Sequence, residues 1–210
     1  MFEEQLDAPL REILPAIQRR ILSKSRYFGI PTLKHPYDFW VYQEMLNEKQ
    51  PDVIIEIGNY HGGSTLALAH LCDLLGKGRV IAVDFSHVQI DPQVLRHPRI
   101  LFVQGDPLQV ADIVKAQIQP EEKVIIIEDS THTYDLTLGI LRAYNELIKP
   151  GDYFIIEDGI CWHGLEEGPK PGPYEAIEDF VRENPAFQID RSCEDFTITW
   201  NPKGYLKRVA

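Results

Sequence analysis

The chain has 210 residues, of which 44% are hydrophobic and 25% are charged, a balance typical of a globular protein. This length suits one α/β domain with an N-terminal extension. The net charge of -11 disfavours a nucleic-acid backbone or an anionic membrane surface as partner.

Residues 1–50 are predicted to form a helical extension and lid. Hydrophobic residues recur at helical spacing between positions 2 and 23, and Pro15 is expected to divide them into two short helices. The stretch 27–36 is turn-rich, carries two prolines and is predicted to be a connector or lid. Residues 36–47 predict a helix with an aromatic apolar side, which we expect to pack in the core.

Residues 53–68, VIIEIGNYHGGSTLAL, are the most informative stretch of the chain. An apolar run, then glycines, then a helix start is typical of the strand–turn–helix that opens a doubly wound sheet. Residues 56–64, here called the glycine loop, read E-x-G-x-x-x-G-G-S, whereas a dinucleotide site requires G-x-G-x-x-G. Glu56 would repel a pyrophosphate but suits a ligand that carries an ammonium or sulfonium group. We interpret the loop as a site for S-adenosylmethionine (SAM); the alternative is a Rossmann-like turn around a buried acid.

Strands and helices alternate after this loop. A helix is predicted at 64–75, strands at 79–84, 99–103, 123–129 and 152–158, and further helices at 107–117, 133–148 and 173–184. Segments 187–190 and 196–200 predict a terminal antiparallel pair. Residues 51–210 therefore predict a Rossmann-like α/β domain with a mostly parallel seven-stranded sheet, a C-terminal antiparallel hairpin and helices on both faces. This is the layout of a class I methyltransferase.

Each central strand of the predicted sheet ends in an acid or leads directly to one. Asp84 follows the second strand, where a carboxylate can accept hydrogen bonds from both ribose hydroxyls of an adenosine. Asp106 follows the third strand and is placed to accept from the adenine amino group, although a role in the turn or as a helix cap fits it equally. The predicted SAM-binding residues are Glu56, Gly58, Asn59, Tyr60, Gly62, Gly63, Ser64, Asp84 and Asp106.

A second group of acids, here called the acid cluster, comprises Asp129, Glu157 and Asp158 at the ends of the fourth and fifth strands. Carboxylates that converge repel one another, and this cost is tolerated mainly when a cation lies among them. Oxygen ligands without a thiolate favour Mg²⁺. The alternative is that Asp129 caps the next helix and that Glu157 or Asp158 faces solvent.

His132 lies three residues after Asp129 and would approach the same cavity from the start of the next helix. A neutral imidazole there could take a proton from a metal-bound hydroxyl, so His132 and Asp129 are the candidate catalytic residues. A capping or packing histidine is the competing interpretation.

Longer motifs extend along most of the chain. They are YFGIPTLKHPYDFWVYQE at residues 27–44, the glycine loop, GKGRVIAVD, HPRI, DSTH at 129–132, IIED at 155–158, PGP at 171–173 and NPKGYLKR. Together they resemble the CmcI-type family of cephalosporin hydroxylases and rhamnosyl O-methyltransferases, over roughly residues 27–208. The resemblance implies a SAM-dependent, Mg²⁺-assisted O-methyltransferase acting on a hydroxyl of a sugar or secondary metabolite. It implies that the family's metal-binding acids are Asp129, Glu157 and Asp158 of the acid cluster. The sequence departs from the family at Thr131, where Asp is common.

Two other functions stay open at this point. An NAD-linked oxidoreductase or hydroxylase on the same fold is disfavoured by the missing G-x-G-x-x-G and by Glu56. A non-catalytic partner in a biosynthetic assembly is disfavoured because the whole acid cluster is present.

We expect a small-molecule hydroxylated substrate, a homo-oligomer, and no nucleic-acid or membrane partner. The N-terminus lacks the pattern of a signal peptide, and no apolar run approaches the ~20 residues of a membrane span. The widely spaced Cys72, Cys161 and Cys193 are typical of a reducing compartment, so we expect a cytoplasmic protein.

Overall fold

The computed structural model of the chain describes residues 6–210, so the part of the predicted N-terminal helix at positions 2–5 lies outside the described residues. Helix α1 (Leu10–Lys24) runs through Pro15 without a break, and the prediction of two short helices was wrong. The buried side chains of α1 pack with Ile160, Leu165 and Trp200. This tertiary packing outweighs the one backbone hydrogen bond that a proline removes.

A short hairpin and a helix connect α1 to the sheet. Strands β1 (Arg26–Tyr27) and β2 (Ile30–Pro31) pair antiparallel, and helix α2 (Pro36–Lys49) follows. The buried carboxylate of Asp38 accepts hydrogen bonds from the Trp200 backbone N–H at 2.8 Å and from Thr199 Oγ1 at 2.5 Å. These bonds fix the N-terminal segment to the C-terminal part of the chain.

The predicted fold class is confirmed. The seven strands of the main sheet are β3 (Val53–Ile57), β4 (Arg79–Asp84), β5 (Ile100–Gln104), β6 (Val124–Glu128), β7 (Tyr153–Ile156), β8 (Phe187–Ile189) and β9 (Tyr205–Arg208). Their spatial order is β5-β4-β3-β6-β7-β9-β8. Strand β9 runs antiparallel to both of its neighbours, and the other pairs are parallel.

The second strand of the terminal pair is β9 and not the predicted segment 196–200. That segment, FTITW, alternates as a strand would, but its backbone is bound elsewhere: Trp200 donates to Asp38 and accepts from the Ile160 N–H at 3.1 Å. Tyr205 and Leu206 are fully buried and complete the sheet instead.

Helices cover both faces of the sheet because the side chains of each strand alternate between them. Val53, Ile55 and Ile57 of β3 face a core that includes residues of α5 (Ala111–Lys115), α6 (Tyr134–Tyr144) and α7 (Pro173–Glu183). Ile54 faces the core formed with α2 and α3 (Gly63–Leu75).

Two helices are shorter than predicted, and one was not predicted. Residue 106 begins a turn, so α5 starts only at residue 111, and α6 ends in a 3₁₀ turn at Asn145–Leu147. The additional helix, α4 (Pro92–Leu95), is a single turn.

Over residues 6–210 the chain contains no helix with both the length and the apolar character that a bilayer crossing needs.

Candidate functional site

A cleft of about 620 Å³ opens where the central strands end, the usual ligand position in an open α/β sheet. This volume is in the range of small-molecule sites. Its walls come from α1, the segment after β2, the glycine loop, the segments that follow β4, β5, β6 and β7, and Trp200. The lining residues include Gln18, Ile21, Leu22, Gly58, Asn59, Tyr60, Ser64, Asp84, Asp129, His132, Asp158, Ile160 and Trp200.

Gly58 shows why the chain turns sharply at the end of β3. Its φ of +93° lies in the left-handed region, and a Cβ built on it would stand 2.0 Å from the backbone oxygen of Asp129. The glycine loop and the segment after β6 are therefore in backbone contact. Gly62 and Gly63 have a different use: they allow close approach of Val94 and of the β1–β2 hairpin.

Glu56 lies beneath the glycine loop, fully buried. Its Oε2 accepts hydrogen bonds from Asn59 Nδ2 at 3.0 Å and from Thr65 Oγ1, so it fixes the shape of the turn. Its Oε1 has no hydrogen-bond partner within residues 6–210. Burial raises the pKa of this carboxyl group against the opposing effect of the Lys34 charge. One free carboxylate oxygen at this position fits a ligand that carries an ammonium group.

Asp84 lines the cleft and organises the glycine loop. Its Oδ2 accepts from the backbone N–H groups of Asn59 at 2.7 Å and Tyr60 at 3.3 Å. The carboxylate thus has a fixed position with further acceptor capacity toward the cleft. Asp106 accepts from the Leu108 N–H at 2.9 Å, which is the turn role that the sequence left open, and the next residue, Pro107, lines the cleft.

The structure brings Asp129, Asp158 and His132 together. One potential ligand atom from each lies within 4.8 Å of the others, and His132 Nε2 is 3.2 Å from Asp158 Oδ2. Thr133, not Asp129, occupies the N-cap position of α6, so Asp129 does not cap that helix. His132 and Asp158 have φ of +57° and +56°, strained backbone of the kind that concentrates at functional sites.

Lys34 is the residue of this site that the sequence reasoning missed. It is buried, and its ammonium group donates to the carboxylates of Asp129 and Glu157. Glu157 is also buried, so this acid faces Lys34 while Asp129 and Asp158 line the cleft. The only sequence signal was the position of Lys34 inside the YFGIPTLKHP segment, and it gave no indication of a partner.

Electrostatics at this site favour the binding of a cation. Burial and the negative charge of Asp129 raise the pKa of the carboxyl group of Glu157, and burial likewise raises that of Asp158. Burial opposes a charged imidazole at His132, but the nearby carboxylates outweigh it and raise its pKa. A divalent ion would offset the burial and mutual repulsion that disfavour the charged carboxylates, and their oxygen donors suit Mg²⁺. The residues therefore fit a divalent ion.

Part of the cleft wall comes from the loop between β7 and α7. Trp162 Nε1 donates to the Gly168 carbonyl at 2.9 Å, and the Lys170 ammonium lies 4.9 Å from the centre of the Trp162 ring. The ring of His163 stacks on that of Tyr174 with 3.6 Å between ring centres, and its Nε2 lies 2.9 Å from Glu175 Oε1. Side chains of this loop, among them Cys161, Leu165 and Glu167, line the cleft together with those of α1.

Comparison with known proteins gives consistent results. The profile of the family described as "Rhamnosyl O-methyltransferase/CmcI" matches residues 19–209. The rhamnosyl O-methyltransferase of Mycobacterium tuberculosis (strain ATCC 25618 / H37Rv) is 36% identical over 195 residues, which cover 90% of this chain and 80% of that protein. The protein of the same name from Mycobacterium leprae (strain TN) is 33% identical, with 90% and 85% covered.

Two solved structures of cmcI are also similar. One, described with Mg and SAM, is 27% identical with a TM-score of 0.69 and covers 90% of this chain and 78% of its own. A second, described with SAH (S-adenosylhomocysteine), is 26% identical with a TM-score of 0.69 and covers 90% and 84%.

Proposed function

The chain belongs to the rhamnosyl O-methyltransferase/CmcI family, and on that premise we propose that it methylates a hydroxyl of a sugar or secondary metabolite with the assistance of Mg²⁺. It is a SAM-dependent O-methyltransferase, and this function takes the place of the two alternatives, an NAD-linked oxidoreductase and a non-catalytic partner. One observation supports the proposal most: a single cleft is lined by Asp84 and the glycine loop on one side and by Asp129, Asp158 and His132 on the other.

SAM would lie in the cleft against the glycine loop and Asp84. The carboxylate of Asp84 would accept from the ribose hydroxyls, and Glu56 Oε1, beneath the loop, would balance the ammonium charge of the ligand. Asp106 remains a predicted contact of the adenine. Within the N-terminal extension of residues 1–50, we propose that α1 acts as the lid, because its Gln18, Ile21 and Leu22 line the cleft.

The metal would be held by Asp129 and Asp158, with Glu157 and His132 adjoining. When bound there, Mg²⁺ supplies a positive charge that orients the acceptor oxygen and lowers its pKa. Asp158 also positions His132, because its Oδ2 lies 3.2 Å from His132 Nε2. We propose that the imidazole of His132 takes the proton of the acceptor hydroxyl and that Asp158 stabilises the imidazolium that forms. The rest of the rate enhancement would come from holding the acceptor oxygen in line with the methyl group of SAM.

We expect His132→Asn to lower turnover by about a hundredfold, the lower end of what a general base contributes. Asn tolerates the left-handed backbone of residue 132, so the fold is retained. The nearby carboxylates raise the pKa of His132 when no ion is bound. In the parent, turnover should rise with pH as His132 loses its proton, and His132→Asn should lack this dependence. The measurement is kcat against pH for both proteins.

His163→Asn is the matched control, because His163 pairs with Glu175. It should leave the pH profile unchanged. A parallel loss of Mg²⁺ affinity in His132→Asn would identify His132 as a metal ligand and contradict its role as base.

For Asp84→Asn we expect SAM affinity to fall by ~1–3 kcal/mol, because a charged acceptor is lost while the shape that holds the Asn59 N–H is kept. Titration calorimetry with SAM measures this. Asp91→Asn makes the same change at the cap of α4 and should have no effect on affinity. Equal SAM affinity in the parent and in Asp84→Asn would contradict the ribose role.

The reaction itself is tested with SAM, MgCl₂ and a panel of acceptors that includes catechols, rhamnosides and other sugars with vicinal hydroxyls. We expect SAH release together with a methylated product from at least one acceptor, and loss of both after chelation of the metal. Transfer that persists in excess chelator would contradict the role of Mg²⁺, and the absence of transfer to any hydroxyl would contradict the substrate class. That the chain forms a homo-oligomer in the cytoplasm stays a prediction from the sequence.

A further inference from the structure

The position of Lys34 has a consequence for the metal site. Lys34 is 5% exposed, and its ammonium group contacts both Asp129, which lines the cleft, and Glu157, which lies below it. An ammonium group is a hard cation that seeks the same carboxylate oxygens as Mg²⁺. The acid cluster of this chain therefore already holds a cation of its own.

The segment that carries Lys34 is under local strain. Leu33, the residue before it, lines the cleft and has φ of +57°, a left-handed conformation that a branched aliphatic residue rarely adopts. After Lys34, His35 stacks on Trp200 at 4.3 Å between ring centres, and α2 begins. Lys34 thus lies between a strained residue facing the cleft and a well-packed helix start, and its ion pairs hold the strained part in place.

The competition between the two cations is electrostatic. Asp129 is a partner of Lys34 and also one of the three residues that could hold a metal. Two positive charges sharing one carboxylate in a buried site repel each other strongly, because the effective dielectric there is low. A divalent ion bound to Asp129 thus disfavours the contact between Lys34 and the same carboxylate.

We propose that Lys34 is the resident cation of the acid cluster, and that binding of a divalent ion displaces its ammonium group from Asp129. Lys34 then has two effects: it keeps the acids together before the metal binds, and it lowers the affinity for the metal. This inference rests on the proposed metal site and assigns to Lys34 a positioning role at that site.

The first experiment compares Lys34→Met with Lys34→Arg, which keeps the charge. Calorimetry with MgCl₂ should show binding about tenfold tighter or more in Lys34→Met, because the competing charge is gone, and an affinity close to that of the parent in Lys34→Arg. Without metal, Lys34→Met should melt at a lower temperature than the parent, and Mg²⁺ should raise its midpoint by more than that of the parent. If Lys34 had only a structural role, Lys34→Met would lower the melting midpoint by the same amount with and without Mg²⁺.

The second experiment needs no variant and applies even if Lys34→Met does not fold. Amine-selective acetylation of the parent, followed by mass spectrometry, measures how accessible Lys34 is with and without MgCl₂. We expect slow labelling of Lys34 without the ion and severalfold faster labelling with it. Lys77, which pairs with Asp52 at 2.8 Å before the start of β4, should be labelled at the same rate in both conditions.

The outcomes separate the inference from the proposed function. If the parent binds Mg²⁺ but Lys34→Met binds it no more tightly, or if labelling of Lys34 does not respond to the ion, the metal site stands and the role of Lys34 is wrong. If only Lys34→Met binds Mg²⁺, the inference holds in its strongest form. If neither protein binds Mg²⁺, both the inference and the proposed metal site are wrong.

Discussion

Replacement of Asp158 by Asn is expected to lower metal-dependent methyl transfer by roughly a thousandfold or more, the loss of several kcal/mol of metal-supplied stabilisation. Asp158 provides a carboxylate oxygen that lines the cleft and lies 3.2 Å from His132 Nε2. The substitution therefore weakens metal binding and removes the charge that stabilises His132 after proton uptake. SAM affinity should stay within about twofold, because the proposed cofactor contacts lie on the other side of the cleft.

Asn is the informative replacement because Asp158 has φ of +56°. Asparagine adopts this left-handed conformation more readily than alanine, so the variant tests the charge and not the backbone. Asp190→Asn, at the end of β8 where the carboxylate accepts from Tyr153 OH at 2.7 Å, is the matched control and should keep full activity. Calorimetry that shows unchanged Mg²⁺ affinity in Asp158→Asn would rule out its assignment as a ligand.

The sequence predicted the parts of the site that follow from strand topology. The alternation of apolar strands and helices indicates a parallel sheet, and parallel strands end at one edge, so an acid directly after a strand lies at the ligand edge. Asp84, Asp129 and Asp158 all lie in the cleft for this reason. Gly58 was found by the same reasoning, because a strand that turns directly into a helix needs backbone freedom.

The sequence could not show which way a side chain faces once its position was known. Glu56 and Glu157 both belong to strand ends that were identified, yet they lie below the cleft, because side chains alternate across a strand. Lys34 contacts an acid 95 positions away, and only the path of the β1–β2 hairpin brings them together. The misplacement of the last strand has a similar cause: Trp200 is bound by Asp38, a long-range contact that the local alternation of FTITW does not contain.

The second large effect is expected from Gly58→Ala, which should destabilise the fold by at least about 3 kcal/mol and abolish measurable SAM binding. An alanine Cβ would stand 2.0 Å from the backbone oxygen of Asp129, so the turn after β3 and the segment after β6 would have to separate. Backbone atoms cannot rotate away as a flexible side chain can. The glycine loop and Asp129 would move relative to each other, and both proposed pockets would lose their geometry.

Gly151 provides a control for the backbone conformation alone. It has the same φ of +93°, but a Cβ on it would meet no atom of residues 6–210 within 4 Å. Gly151→Ala should therefore cost only about 1 kcal/mol, the penalty for a left-handed residue, and leave SAM affinity unchanged. Urea unfolding and SAM calorimetry on both variants measure the difference. Equal losses of stability, or intact SAM binding in Gly58→Ala, would show that the contact between the glycine loop and Asp129 does not hold the two halves of the site together.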